Sequence, residues 1–443
     1  MPVEARKFGI GKSALAVPGT VPITCPFTYD DPVPVEDVQD ELIEGYIRPT
    51  GGITQTGPYE FVLPAANDGY LLLNKMKMEC RAKIVKSDGK TDCSAAEDVV
   101  APVNLIGSAL FQHSEAYLND ALITNASSAH TNYKAYLETV LSAQHDKCST
   151  LASQLWVMDT AGAGDKNNGV DNSGFKSLFG ITKNSQTFDW ITPLSLDLLG
   201  SPTNLAPGNK LTLKFYRAPD AFVLRTDGEE EYKLIILDMK LRYQRTRLVN
   251  MPQPNTERYL LTRTEVRKYP VPVNSPNYCF KLHYSGKMPR SVVLCQVLTA
   301  ASEGSYKHNP WHFQHFSVND VALRQNGRVL PPDRLRPVFK EEGTSLVARE
   351  YDWLLKNTGM DRMDRRNLIS PDAFRRGHTI FAYDLTPDNC CGAHYHVTKS
   401  GDIDVEFGWE KPLEKAITII AHMTFDEVYV NQKNENVVSV EQI

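Results

Sequence analysis

The densest group of reactive side chains in the sequence is the run from Asn389 to His396, which holds Cys390, Cys391, His394 and His396. Thiolates and imidazoles are the donor types that suit zinc. Adjacent cysteines rarely converge on one ion, however, and no second Cys/His pair at finger spacing accompanies them, so the run reads as a loop with incidental Cys and His. Asp402, Asp404 and Glu406 fall on one side of a strand and could gather a hard cation such as calcium. With Ile403, Val405 and Phe407 on the other side, a solvated outer face explains them better.

Gly9-Ile10-Gly11-Lys12-Ser13 imitates the end of a phosphate-binding loop, but the required first glycine would fall at Arg6 and no strand precedes it. No HExxH or GxSxG motif occurs. His113 and His315 sit beside phenylalanines and read as core or interface imidazoles. The expectation is therefore no catalytic residue, no cofactor-binding residue, no metal ligand and no cofactor.

The elements that carry these residues are dominated by period two. Residues 75–84 alternate perfectly, with Met76, Met78, Cys80, Ala82 and Ile84 on one face and charged residues on the other, the signature of a half-buried strand. The same signature recurs at 210–216 with Leu211, Leu213 and Phe215 inward, and at 237–243, 402–409 and 417–425. Helical periodicity is convincing twice, at Tyr133, Tyr136, Leu137, Val140 and Leu141 and at Val347, Tyr351, Leu354 and Leu355. Turn residues punctuate the rest: Asp88-Gly89, Asn167-Asn168-Gly169, Ser285-Gly286, Asn326-Gly327 and Pro331-Pro332. The long Gly, Asn and Asp stretch 161–174 is expected to project from a rigid framework.

An internal repeat emerges from this order. Ala116-Tyr117-Leu118, a turn at Asn119-Asp120, Ala121-Leu122-Ile123 and the first helix are echoed by Val321-Ala322-Leu323, a turn at Asn326-Gly327, Arg328-Val329-Leu330 and the second helix. The hairpins are offset by about 206 residues and the helices by about 214. A duplicated antiparallel β domain of jelly-roll type is the expectation. Pro252 and Pro254 mark the boundary, giving an N-terminal arm at 1–45, a first roll at 46–248, a linker at 249–257, a second roll at 258–432 and a tail at 433–443.

The 443 residues are 42% hydrophobic and 23% charged, with 48 Lys and Arg against 53 Asp and Glu, which excludes collagen-like and low-complexity classes. A pI near 6.1 argues against a whole-chain nucleic-acid footprint. The local basic clusters at 240–247 and 362–376 read as solvated surface or subunit contact. The first 25 residues lack the apolar core of a signal peptide, and no apolar run approaches the ~20 residues of a spanning helix, so a soluble protein is expected. Eight scattered cysteines (25, 80, 93, 148, 279, 295, 390, 391) fit a reducing compartment, with Cys80 and Cys295 as small buried hydrophobes. Without a secretory route the sequon at Asn125 means little.

Several ordered segments resemble one family: residues 101–120, 133–141, 309–315, 379–388 and 403–409, and the Phe425-Asp426 ending. Together they are similar to the double jelly-roll major capsid protein of Polinton (Maverick) elements and adintoviruses, over about Tyr59 to Val430. Cys390-Cys391 and the long N-terminal arm depart from that pattern. The resemblance implies two eight-stranded jelly rolls and a homotrimer of pseudo-hexameric outline. It implies an icosahedral shell around double-stranded DNA, with a single jelly-roll penton and minor capsid proteins as partners. It implies no enzymatic activity and no sequence-specific nucleic-acid binding. The expected location is the virion capsid, after synthesis in the cytoplasm and assembly there or in the nucleus. Segment 161–174 would then form an exposed tower or intersubunit contact, and the arm would tie neighbours together beneath the shell.

A jelly-roll metal- or sugar-binding protein is the alternative. His394-x-His396 matches the histidine pair of a cupin site, but Ser400 and Gly401 stand where its glutamate belongs, and Glu406 lies farther on. A lectin-like groove would use aromatics such as Trp311 and Trp409.

Overall fold

The structure is a computed structural model that describes residues 39–67, 69–124, 130–142, 148–248, 256–340, 345–361, 368–389, 396–397, 399–432 and 437–442. The first half contributes β1 (Gln39–Ile47), β2 (Tyr59–Leu63), β3 (Tyr70–Leu71), β4 (Lys77–Lys86), β5 (Val100–Pro102), β6 (Phe111–Leu118), β7 (Ala121–Leu122), β8 (Phe188–Pro193), β9 (Leu211–Arg217), β10 (Leu224–Thr226) and β11 (Tyr232–Leu248). Its helices are α1 (Ile106–Ala109), α2 (Thr131–Ser142), α3 (Cys148–Ala152), α4 (Ser173–Thr182) and α5 (Asp220–Val223). The second half holds β12 (Thr256–Val271), β13 (Asn277–Lys281), β14 (Ser291–Leu298), β15 (Val318–Gln325), β16 (Arg328–Leu335), β17 (Ile380–Asp384), β18 (Ile403–Trp409), β19 (Ile417–Gln432) and β20 (Val437–Gln442). Three helices accompany them, α6 (Thr299–Glu303), α7 (Ala348–Asn357) and α8 (Pro371–Arg375).

Pairing turns this list into two copies of one plan. In the first half the sheets run β1-β11-β4-β8 and β2-β9-β6-β7, all antiparallel; in the second they run β12-β19-β14-β17 and β13-β18-β15-β16. Counted within each half, leaving out β3, β5 and β10, both sets read 1-8-3-6 and 2-7-4-5, the jelly-roll order. The two sheets of each roll face each other across an apolar core. In the first roll Met78 and Cys80 of β4 pair with Leu241 and Met239 of β11, all buried, opposite Phe61, Leu213 and Phe215. Phe61 and Phe215 meet edge to face at 5.9 Å.

The repeat read in the sequence is the hairpin β6–β7 followed by α2, and β15–β16 followed by α7. Its turns share a cause: Asn119 and Asp120 have φ of 50° and 67°, Asn326 and Gly327 have 50° and 82°. Both central positions of such a turn need positive φ, which Asn, Asp and Gly accept most readily.

Several boundaries differ from expectation. Sheet structure begins at Gln39, inside the range expected as an arm. Thr256 and Glu257, expected in the linker, already pair with Gln432 and Asn431. Residues 437–442, expected as a tail, form β20 on β19. Leu237 is 44% exposed because a bulge between Ile236 and Asp238 resets the alternation of β11. Pro331-Pro332 is no turn but lies within β16, an edge strand, where a missing N–H costs no ladder bond. No helix among the described residues is long and apolar enough to cross a membrane.

Candidate functional site

The two rolls meet along a buried seam, where aromatic side chains from both halves gather. α2 supplies Tyr133 and Tyr136, one turn apart. Trp311 from the second half stacks on Tyr136 at 4.3 Å and 7° and meets Tyr133 edge-on at 5.3 Å. Phe222 and Phe313 close the cluster. The Trp311 indole N–H donates to the Asn104 carbonyl at 3.0 Å, so the ring is satisfied across the seam. The Tyr136 hydroxyl lies 2.9 Å from His378 Nε2. Burial, with His312 nearby, holds the His378 imidazole down to about 4.

Polar groups lock the same seam. Asn167 is fully buried and its amide donates to the carbonyls of Thr226, Tyr306 and Lys307. Asp165 accepts from the Asn309 backbone N–H at 2.8 Å and from the Gln314 amide at 3.0 Å, with His312 Nδ1 at 2.9 Å. Burial pushes the Asp165 carboxyl up, but these partners more than offset it and hold it below its ordinary value. Segment 161–174 is therefore not a projecting tower. It folds against the second roll because its Asn and Asp side chains find backbone partners there. Asn172 adds the N-cap of α4, accepting from Gly174 N at 3.0 Å and Phe175 N at 3.2 Å.

Beyond the aromatics, α2 lies over the outer face of the second roll's first sheet. Glu138 reaches Thr264 Oγ1 at 3.3 Å and His422 Nε2 at 3.8 Å. Lys134 pairs with Asp197, and both side chains are almost wholly buried. Burial alone would lower the Lys134 ammonium, but Asp197 and Glu138 outweigh it and raise it above the ordinary value. Further along, Glu257 accepts from Asn209 and Asn431 at 2.9 Å and from Tyr259 at 2.6 Å. Lys134, Asp197 and Glu257 Oε2 are thus partnered, as a stable interior requires, whereas neither ring nitrogen of buried His422 has a hydrogen-bond partner among the described residues.

The sequence candidates fall elsewhere. Cys390, Cys391 and His394 lie outside the described residues, as do residues 9–13 and Asn125; His396 pairs with Asp388 at 3.0 Å. Glu406 accepts from Arg324 at 2.5 Å and pairs with Arg334 at 2.6 Å, and Asp402 pairs with Lys281 at 2.7 Å. The Arg324 hydrogen bond leads in holding the Glu406 carboxyl below its ordinary value. Among the described residues no three His, Cys, Asp or Glu gather as a metal site. His113 contacts Glu115 at 3.1 Å, and His315 stacks on Phe339 at 4.1 Å. Trp311 and Trp409 are both buried and offer no face to a sugar. Cys80 and Cys295 are buried free thiols, pushed up by desolvation. The seam itself was missed, although Tyr133 and Tyr136 on one helical face were its visible half.

This geometry can hold two rolls as one rigid block. No family model matches the chain. An uncharacterised protein of Caenorhabditis elegans is 22% identical over 393 residues, 84% of this chain and 91% of that protein. Among solved structures, a chain of the Sputnik virophage is similar with a TM-score of 0.59 at 12% identity, over 97% of this chain and 94% of that one. The mavirus major capsid protein is similar at 0.53 and 9% identity, over 100% and 97%. The faustovirus major capsid protein follows at 0.52 and 9%, over 90% and 92%. The fold is that of a double jelly-roll capsid protein. The Sputnik and mavirus matches span both rolls.

Proposed function

We propose that this chain is a major capsid subunit of the Polinton (Maverick) and adintovirus kind, a structural protein without an active site. Three copies form a capsomer of pseudo-hexameric outline, and capsomers tile an icosahedral shell around double-stranded DNA. A penton and minor capsid proteins fill the positions a six-unit tile cannot. The observation that carries this reading is the pair of rolls with identical strand order fused through a buried seam. A duplicated unit in one chain gives six similar units per trimer, which suits a quasi-hexagonal lattice of heterologous contacts. The domain division follows the sheets, with the boundary between Leu248 and Thr256.

The test is solution mass by light scattering, followed by negative-stain microscopy of the same sample. A particle of about 150 kDa, three times 49.7 kDa, with hexagonal outlines or closed shells is the expected result. A stable monomer under all conditions of salt and concentration overturns the reading.

A further inference from the structure

Where segment 161–174 of the first roll lies on the second, a hollow of about 490 Å³ opens. The first roll contributes Gly162. The second contributes the loop after α8, residues 312 and 314–316, and Lys340 with Ser345 from the two arms of a turn that the Val338–Leu346 bridge closes. Three cations, Lys340, Arg375 and Arg376, line the hollow against one carboxylate, Asp372. Asp372 is already engaged, because Arg376 donates to it through Nε at 3.0 Å and Nη2 at 2.5 Å. The lining therefore carries a surplus of two positive charges, in a chain whose formal net charge is -5.

Arg375 adds an unmet donor. Its Nε is buried and has no hydrogen-bond partner among the described residues, a state that costs stability until an acceptor arrives. The walls around it are held in place. Gly162 N–H donates to the Arg376 carbonyl at 2.6 Å, which ties the first roll to the loop after α8. Gly377 turns that loop at a φ of 141°, and a Cβ there would meet the His312 ring at 3.0 Å, so only glycine brings the two arginines this close to it. His315 stacks on Phe339 and its Nδ1 accepts from Ser317 N–H at 2.8 Å, which leaves the proton of the neutral ring on Nε2, as a donor.

We infer that this hollow binds a small polyanion carrying tetrahedral phosphate or sulfate groups, with Arg375 and Lys340 as its principal partners. The guanidinium fork matches two oxygens of such a group, and the ammonium of Lys340 adds a point charge. A surplus of two positive charges suits a ligand with more than one anionic group. The volume agrees, since small-molecule sites run to about 300–1,000 Å³. A ligand held there would join the α8 loop to the 338–346 turn opposite Gly162 and so tighten this part of the seam. The inference concerns a single chain and holds or fails independently of the capsid reading.

Isothermal titration calorimetry of the full-length protein tests it with orthophosphate, tripolyphosphate and a trisulfated heparin disaccharide, in about 50 mM salt. The expected result is saturable binding of tripolyphosphate or the disaccharide at least about ten-fold tighter than that of orthophosphate, because one phosphate meets fewer of the cations. The tighter of the two probes identifies the source, a phosphate chain or a sulfated sugar, and either supports the site. Arg375→Ala and Lys340→Ala should each weaken binding by about ten-fold, while Lys281→Ala on β13, outside the lining, leaves it unchanged. Saturating ligand should also raise the unfolding temperature of the wild type. Lys340 is exposed, so its variant is expected to fold even where Arg375→Ala does not, and unfolding without ligand checks both. No saturable heat from any probe, orthophosphate binding as tightly as the other two, or an affinity unchanged in both variants overturns the site.

Discussion

Trp311 shows how much one side chain contributes to joining the rolls. It stacks on Tyr136, meets Tyr133 and Phe222 edge-on, and satisfies the Asn104 carbonyl. Replacing it with alanine removes the ring contacts, leaves a cavity and orphans that carbonyl. Trp311→Ala is expected to cost about 3–5 kcal/mol in urea unfolding; a loss under about 1 kcal/mol would show that the seam adds little to stability. His378, beside the same cluster, links the seam to pH. Its folded value of about 4 lies below the ordinary 6.5. Between these limits the unfolded chain binds a proton that the folded chain does not. Stability therefore falls on acidification through that window, with no penalty above it and the full penalty below about 4. His130, also held at about 4 by burial, acts in the same direction and remains in the variant. His378→Gln should reduce the slope of unfolding free energy against pH by about one proton between pH 4 and 6.5. A slope equal to the wild type's would rule out His378 as the titrating group.

At the scale of elements, strands were legible because one face of each is buried. The alternation read at 75–84 and 210–216 reappears as the burial of Met78, Cys80, Leu211 and Leu213. Even the repeated hairpin and helix stood in plain order, since turn chemistry is local. Segment 161–174 was misjudged for a physical reason. Asn, Asp and Gly mark exposed loops when their partners are water, but here Asp165 and Asn167 bond groups far away in sequence, and no local pattern reveals a distant partner. Asn172 does two jobs in that segment: it caps α4 and donates to the Ala163 carbonyl at 2.9 Å. Asn172→Ala is expected to cost about 1–2 kcal/mol and to speed proteolytic cleavage within 161–172 by several-fold. Cleavage at the wild-type rate would mean the cap does not hold the segment down. The bulge at Leu237 escaped similarly, because an inserted residue leaves the apolar count intact while shifting its phase.

At the scale of the molecule, two jelly rolls that each look complete are not independent bodies. The second roll's outer sheet face carries Val266, Val293, Cys295 and Ile420, all buried and on the side that the first roll covers. The segments that carried the family resemblance, 133–141 and 309–315, are the two that meet here through Tyr136 and Trp311. A single sequence displayed each half of that contact but not their meeting, because helix periodicity assigns a face without naming what covers it. Separating the rolls would expose this apolar strip together with Trp311, a patch of the kind that drives aggregation. Residues 1–248 and 256–443 expressed alone are expected to be insoluble or to bind a hydrophobic dye strongly. Expressed together from two messages, they should form a soluble one-to-one complex near the mass of the intact chain. A second half that is monomeric alone and unfolds at the full-length temperature would show the seam to be a docking contact between finished domains. The expected outcome makes it part of one folding core, so that the two rolls behave as a single rigid block.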